Sequence, residues 1–239
     1  MLYILVFIFG AVVGSFINVC IYRIPRKESL LWPPSHCPYC GRKIKFYDNI
    51  PIVSYIILGG KCRYCGGRIS LQYPLVEALT AFLFLGLYIK FRLSLAYLKF
   101  ILLAASLVCI SGIDLKEKTI PDIIVLPSIL IGSIMSIILK DMALWNILAG
   151  IFGGAFFLFI VRIASSKILK REALGEGDIT LIAMIGAYTG IYGVYISILA
   201  GSIVGSIVGI ILLFKKQREI PFGPFLSMGA ILAVFLLFK

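Results

Sequence analysis

Apolar residues collect into eight long runs, at 1–21, 73–89, 95–113, 120–139, 143–163, 179–192, 193–214 and 221–238, with most polar and basic residues in the breaks between them. A bilayer-crossing helix needs roughly 20 mainly apolar residues, so the pattern predicts an all-α polytopic membrane protein with about eight transmembrane helices. Only Gly190 and Gly193 mark the boundary between the sixth and seventh runs, and without a turn there the two fuse, leaving seven. The first run carries no charged residue, so it lacks the basic start of a cleaved signal peptide and reads as a retained span. Gly201, Gly205 and Gly209 set small residues four apart, a ladder that lets two helices of this protein approach closely.

One stretch breaks the pattern. Residues 22–72 hold nine Lys/Arg, four cysteines and five prolines, which predicts a small insertion without long helices after the first span. The expected layout is a first transmembrane helix at 1–21, a four-cysteine domain at 22–72 and a membrane domain at 73–239.

Composition works by exclusion. The chain is 61% hydrophobic and 14% charged, with a mean hydropathy of +1.05. Soluble domains average about 45–50% apolar and about 25% charged, so an ordinary soluble enzyme does not fit, nor does a disordered chain. The net charge of +12 sits mostly in short loops and not on one face of a soluble domain, so no nucleic-acid partner is expected. Eighteen of the 23 Lys/Arg fall on the side that holds residues 22–72, and five on the other. The positive-inside rule then puts the cysteine segment in the cytoplasm and the amino terminus outside, with anionic membrane lipids as secondary contacts.

Cys37-Pro-Tyr-Cys40 and Cys62-Arg-Tyr-Cys65 are two CxxC pairs with 21 residues between them. Each pair sets two thiolates on one knuckle, and two knuckles complete the tetrahedral site that zinc takes, predicting a zinc-ribbon-like insertion. A reducing compartment disfavours disulfides. Four thiolates leave no open position for water, so the expected role of the metal is structural. His36 is expected to be a loop residue, and Cys20 and Cys109, inside apolar runs, packing residues.

A single histidine leaves almost no material for Ser-His-Asp or Cys-His catalysis. Carboxylates remain. Asp114 closes the third run and Asp178 opens the sixth, both at the cytoplasmic boundary and 64 residues apart. They cannot share a helix, but two packed helices can bring them together. Paired carboxylates cannot both ionise freely, so one can activate water as a base while the other donates a proton, the logic of an aspartic protease. A plainer arrangement, with Asp178 as a helix cap and Asp114 beside Lys116, accounts for the same spacing. Gly175 and Gly177 favour the catalytic one by permitting close approach of an extended substrate backbone. Asp122, after Pro121, fits ordinary helix-start chemistry, with at most a supporting role. Glu77 lies about one turn inside the second run, a depth at which an ionisable group is a functional candidate.

These residues stand in an order that is similar to a known family. Gly14-Ser-Phe16-Ile-Asn18 with Arg23-Ile-Pro25 opens it, and the CxxC pairs flank Asn49-Ile-Pro51 and Gly60-Lys61. Tyr73-Pro74-Leu-Val-Glu77, Asp114 through Pro121-Asp122, Gly175-Glu-Gly177-Asp178 and Ile220-Pro-Phe-Gly223-Pro224 follow. Together they resemble the bacterial type IV prepilin peptidases, the leader peptidase/N-methyltransferases of type IV pili and type II secretion, nearly end to end. Gly175 to Asp178 looks like the family's GxGD signature. One position departs: Thr180 stands where the family usually has lysine, so a cation that would favour ionised Asp178 is missing.

The resemblance implies a GxGD aspartic endopeptidase of the bacterial cytoplasmic (inner) membrane. It implies cleavage of the basic leader of prepilins or pseudopilins after a glycine, at the cytoplasmic face, followed by N-methylation from S-adenosylmethionine. Asp114 and Asp178 would be catalytic, with Gly175, Gly177, Asp122 and Glu77 in support, and Gly60 and Lys61 in methyl transfer. A basic cytoplasmic face does not attract a basic leader, so its charge serves topology, lipid contact or the donor's carboxylate. Relatives that only cleave lack the cysteine segment. The alternative of a different class is a zinc-ribbon membrane scaffold or a small transporter whose acids bind ions, and a transporter would set those acids nearer the bilayer midplane.

Overall fold

The computed structural model describes residues 1–169, 174–214 and 221–238. Lys170, Arg171, Lys215, Lys216, Arg218 and Lys239, which enter the charge division, and Ile220 of the closing motif lie outside the described residues. Among those described there is no β-strand, only two isolated bridges. Among the described residues, six helices are long and apolar enough to cross a membrane: Leu2–Arg23, Gln72–Phe91, Leu95–Glu117, Asp122–Leu139, Leu144–Ile168 and Glu176–Ile211. The chain forms two compact units, Met1–Lys90 and Phe91–Lys239.

In the first unit, α1 (Leu2–Arg23) and α3 (Gln72–Phe91) run antiparallel. Tyr3 meets Tyr88 edge to face at 5.3 Å, Phe7 meets Phe82 at 5.2 Å, and the Asn18 amide donates to the Tyr73 carbonyl at 3.0 Å. Two glycines allow the approach. A Cβ on Gly10 would sit 2.7 Å from the Ala81 Cα, and one on Gly14 2.7 Å from the Glu77 Cα. Pro74 lies in the first turn of α3, where its missing N–H leaves no bond unmade. Between these helices lies the cysteine segment, with a 3-10 turn at Phe46–Asn49 and one short α-helix, α2 (Val53–Ile57). Buried Arg23 holds its start by donating to the Ser29 and Pro33 carbonyls at 2.7 and 2.6 Å.

The second unit contains α4 (Leu95–Glu117), α5 (Asp122–Leu139), α6 (Leu144–Leu148), α7 (Gly154–Leu169), α8 (Glu176–Phe214) and α9 (Gly223–Leu237). A π-helical stretch at Ala149–Gly153 joins α6 to α7, with Gly150 against Gly186 of α8. The helical run of α8 is broken at Gly190, whose φ of 67° and ψ of −171° are not helical. The side chain of Asn146 takes up the break by accepting the Ile191 N–H at 3.1 Å. This kink falls at one of the two glycines expected to mark the boundary between the sixth and seventh runs. The glycine ladder packs within the unit, with Gly201 and Gly205 against Phe225 of α9, itself only 15 residues long. Lys99 is fully buried and pairs with Asp141 at 2.7 Å, between the rings of Phe100 and Phe238.

Candidate active site

Asp114 lies in the last turn of α4, which ends at Lys118 in a left-handed cap, and Asp178 is the third residue of α8. Both are buried, at 5% and 7% exposure. Each has one oxygen held by the main chain. Asp114 Oδ2 accepts the Gly223 N–H at 2.9 Å, and Asp178 Oδ2 accepts the Gly175 N–H at 3.2 Å. The backbone that holds each acid shares one neighbour. Ile120 spans the arrangement from the α4–α5 connection. A Cβ on Gly177 would sit 2.6 Å from the Ile120 Cβ, and one on Gly223 3.5 Å from its Cδ1. Gly177 is therefore occupied by packing against Ile120, while Gly175 is bonded to the acid itself.

Gly223 and Ile120 are missing from the sequence-derived site. The closing motif singles out Gly223, but nothing local announces that its N–H reaches a carboxylate 109 residues away. Thr180 at the expected lysine position donates its hydroxyl to the Gly177 carbonyl at 3.0 Å, a bond within the first turn of α8. Asp122 is exposed in the first turn of α5, where a negative charge complements the helix dipole. Glu77 accepts the main-chain N–H of Ile52 at 2.7 Å, within the first unit.

The four cysteines form two matching knuckles. In the first, Cys37 N–H donates to the Arg42 carbonyl and Gly41 N–H to the Cys37 carbonyl; in the second, Cys62 and Gly66 donate to Gly67 and Cys62. Gly41 and Gly66 both take φ near +67°, the left-handed turn that glycine accepts without strain. All four Sγ atoms lie within 4.8 Å of one another, with Cys37 and Cys65 at 3.8 Å. A tetrahedron with zinc–sulfur bonds of about 2.3 Å has edges of about 3.8 Å, so the thiols fit such an ion. Main-chain N–H groups of Cys65 and Tyr64 pull the Cys62 thiol down to about 6, the environment of a ready thiolate. His36 contacts the Pro34 carbonyl at 3.2 Å and stands outside the cluster.

Beside the second knuckle is a cavity of about 470 Å³, lined in part by Tyr39, Tyr55, Gly60, Lys61, Arg68 and Ser70. Lys61 and Arg68 face each other across the knuckle as a bridge pair. The volume falls in the range of roughly 300–1,000 Å³ usual for small-molecule sites. Two cations can meet a ligand carboxylate, and tyrosine faces can meet a cationic centre.

Fold and sites together define a class: a polytopic helical membrane protein with two buried aspartates at the ends of separate helices and a cluster of four thiols able to hold a metal ion. Residues 8–91 match the bacterial peptidase A24 N-terminal domain, and residues 101–210 match the type IV leader peptidase family. The chain is 36% identical over 247 residues to a prepilin leader peptidase/N-methyltransferase of Xanthomonas campestris, covering 92% of this chain and 86% of that protein. A Pseudomonas aeruginosa protein of the same name is 34% identical over 254 residues, with 94% and 87% covered. An Escherichia coli type 4 prepilin-like proteins leader peptide-processing enzyme is 34% identical over 246 residues, with 95% and 91% covered. This chain belongs to the type IV leader peptidase family. No solved structure matches it.

Proposed function

We propose that this chain removes the leader from type IV prepilins and N-methylates the amino terminus that cleavage exposes, with Asp114 and Asp178 as the catalytic pair. One observation carries the reading: two buried carboxylates from separate helices each have one oxygen held by a main-chain N–H, with Ile120 against the glycine beside Asp178 and the glycine that bonds Asp114. Each acid keeps a second oxygen for water or substrate. One carboxylate takes a proton from water as that water's oxygen attacks the scissile carbonyl, whose oxygen receives the proton of the other acid. That step exchanges their protonation states. The tetrahedral diol then collapses as the first acid returns its proton to the amide nitrogen and the second carboxylate takes a proton from a diol hydroxyl, which restores the starting state of the pair. Gly175 supports the pair through its N–H, Gly177 by admitting Ile120, and Asp122 through the start of α5.

Methyl transfer belongs in this reading to residues 22–72, with Gly60 and Lys61 at the wall of the cavity and Cys37, Cys40, Cys62 and Cys65 holding a structural zinc. S-adenosylmethionine supplies an electrophilic methyl group. Lys61 and Arg68 suit its carboxylate, and Tyr39 and Tyr55 suit its sulfonium. The chain sits in a bacterial inner membrane with both sites toward the cytoplasm, an orientation supported by the division of basic residues. The test is a mass measurement on a prepilin-like peptide incubated with purified chain and donor. Loss of the leader followed by a methyl increment is expected; an intact peptide would sink the proposal.

A further inference from the structure

Glu77 is a buried acid, 7% exposed, that the cleavage chemistry leaves unused. Its carboxylate accepts the Ile52 N–H at 2.7 Å, and the Ser15 hydroxyl of α1 is a second partner. Ile52 has φ +62° and ψ −51°, and across it the Val53 N–H donates to the Pro51 carbonyl at 2.6 Å. That is a γ-turn with positive central φ, a rare and strained form. At its apex stands a β-branched residue, for which positive φ is an outlier. Such a conformation persists only where its surroundings over-determine it, and the bond to Glu77 is the contact that does so.

What the turn fixes is the wall of the cavity. Ile52 is the N-cap of α2, and α2 carries Tyr55. The Tyr55 carbonyl accepts the Gly60 N–H at 2.9 Å, and a Cβ on Gly60 would sit 2.8 Å from the Tyr55 hydroxyl. Tyr55, Gly60 and Lys61 are neighbours in the cavity lining. A movement of the turn is thus a movement of the wall.

We propose that Glu77 is a positioning residue for methyl transfer, holding the strained Ile52 turn and, through α2, the Tyr55–Gly60 wall of the cavity. The role rests on the reading that residues 22–72 carry methyl transfer, and it separates Glu77 from leader cleavage.

The test uses the full chain in two assays, cleavage of a complete prepilin-like peptide and methylation of an already trimmed one by S-adenosylmethionine. Glu77→Ala should lower kcat/KM for methylation about tenfold or more, mainly through the KM for the donor, with cleavage within about twofold of wild type. Glu77→Gln keeps a carbonyl acceptor and should lose less. The deciding variant is Ile52→Gly in the Glu77→Ala background. Glycine holds positive φ unaided, so methylation should return toward wild type. Wild-type methylation in Glu77→Ala, a parallel fall in cleavage, or no rescue by Ile52→Gly would each overturn the role. A wild-type chain that cleaves but never methylates the trimmed peptide would instead remove the methyl-transfer reading, and this role with it.

Discussion

Asp114 in the last turn of α4 and Gly223 at the start of α9 are joined by a 2.9 Å hydrogen bond across 109 residues. The bond leaves no room for a side chain, since a Cβ on Gly223 would come within 2.6 Å of the Asp114 Oδ2 it holds. Gly223→Ala should push the carboxylate aside and slow leader cleavage about tenfold or more. Gly229→Ala is the control, because its Cβ would sit 2.6 Å from the Ser197 carbonyl oxygen, away from either acid. Cleavage rate and Tm, measured together, should fall together in Gly229→Ala, with a larger rate loss per degree in Gly223→Ala.

Asp114→Asn and Asp178→Asn should each lower cleavage by at least about a hundredfold, because an amide cannot take the proton of the attacking water. Asp122→Asn, at an exposed helix start, should stay near wild type. Peptide mass spectrometry on folded variants reads both outcomes, and an active Asp178→Asn would remove that acid from the mechanism.

The two activities should separate. Methylation of an exposed amine needs no proton-sharing pair of acids, so Asp178→Asn should still methylate a trimmed peptide while leaving the full-length one uncut. Lys61→Ala should show the opposite bias. A folded Asp178→Asn that binds donor yet fails on the trimmed peptide would mean that the two sites overlap.

One zinc per chain is expected from elemental analysis, with Cys37, Cys40, Cys62 and Cys65 protected from alkylation until a chelator is added. Thiolate ligands compete with protons, so chelators should extract the ion more readily as the pH falls. Cys→Ser changes should loosen the cysteine segment while leaving the membrane helices folded. A metal-free chain with all four thiols reactive would contradict the assignment.

Orientation is open to labelling. A membrane-impermeant thiol reagent applied outside intact cells should modify Leu93→Cys but not Glu28→Cys, each measured against a background lacking other reactive cysteines. The reverse pattern would invert the topology.

What is legible in the chain is what is local. Each CxxC pair lies within four residues, and Gly175-Glu-Gly177-Asp178 puts the acid beside the N–H that binds it, so sequence spacing alone exposes both. Gly190 is legible as a break for the same reason, although Gly193 competes with it. The choice falls on Gly190 because Asn146, in another helix, supplies the acceptor for the freed N–H. The Asp114–Gly223 bond and the Ile120 contacts depend on how helices pack, and no spacing records them. Glu77 is the instructive case. Its depth in an apolar run signals function, but its partner is a main-chain donor in a turn that no propensity predicts, because isoleucine is among the residues least suited to positive φ.

The connection from Lys140 to Ala143 has the look of a spacer, four residues between two helices where length ordinarily varies freely. Asp141 removes that freedom. Lys99, wholly out of solvent, keeps its charge satisfied only while the Asp141 carboxylate arrives at 2.7 Å. Adding or removing one residue there would swing the carboxylate away and strand an ammonium among aromatic rings, costing several kcal/mol. This short turn is therefore measured from inside the bundle, and insertions that a surface loop would absorb should unfold the helix ends around it.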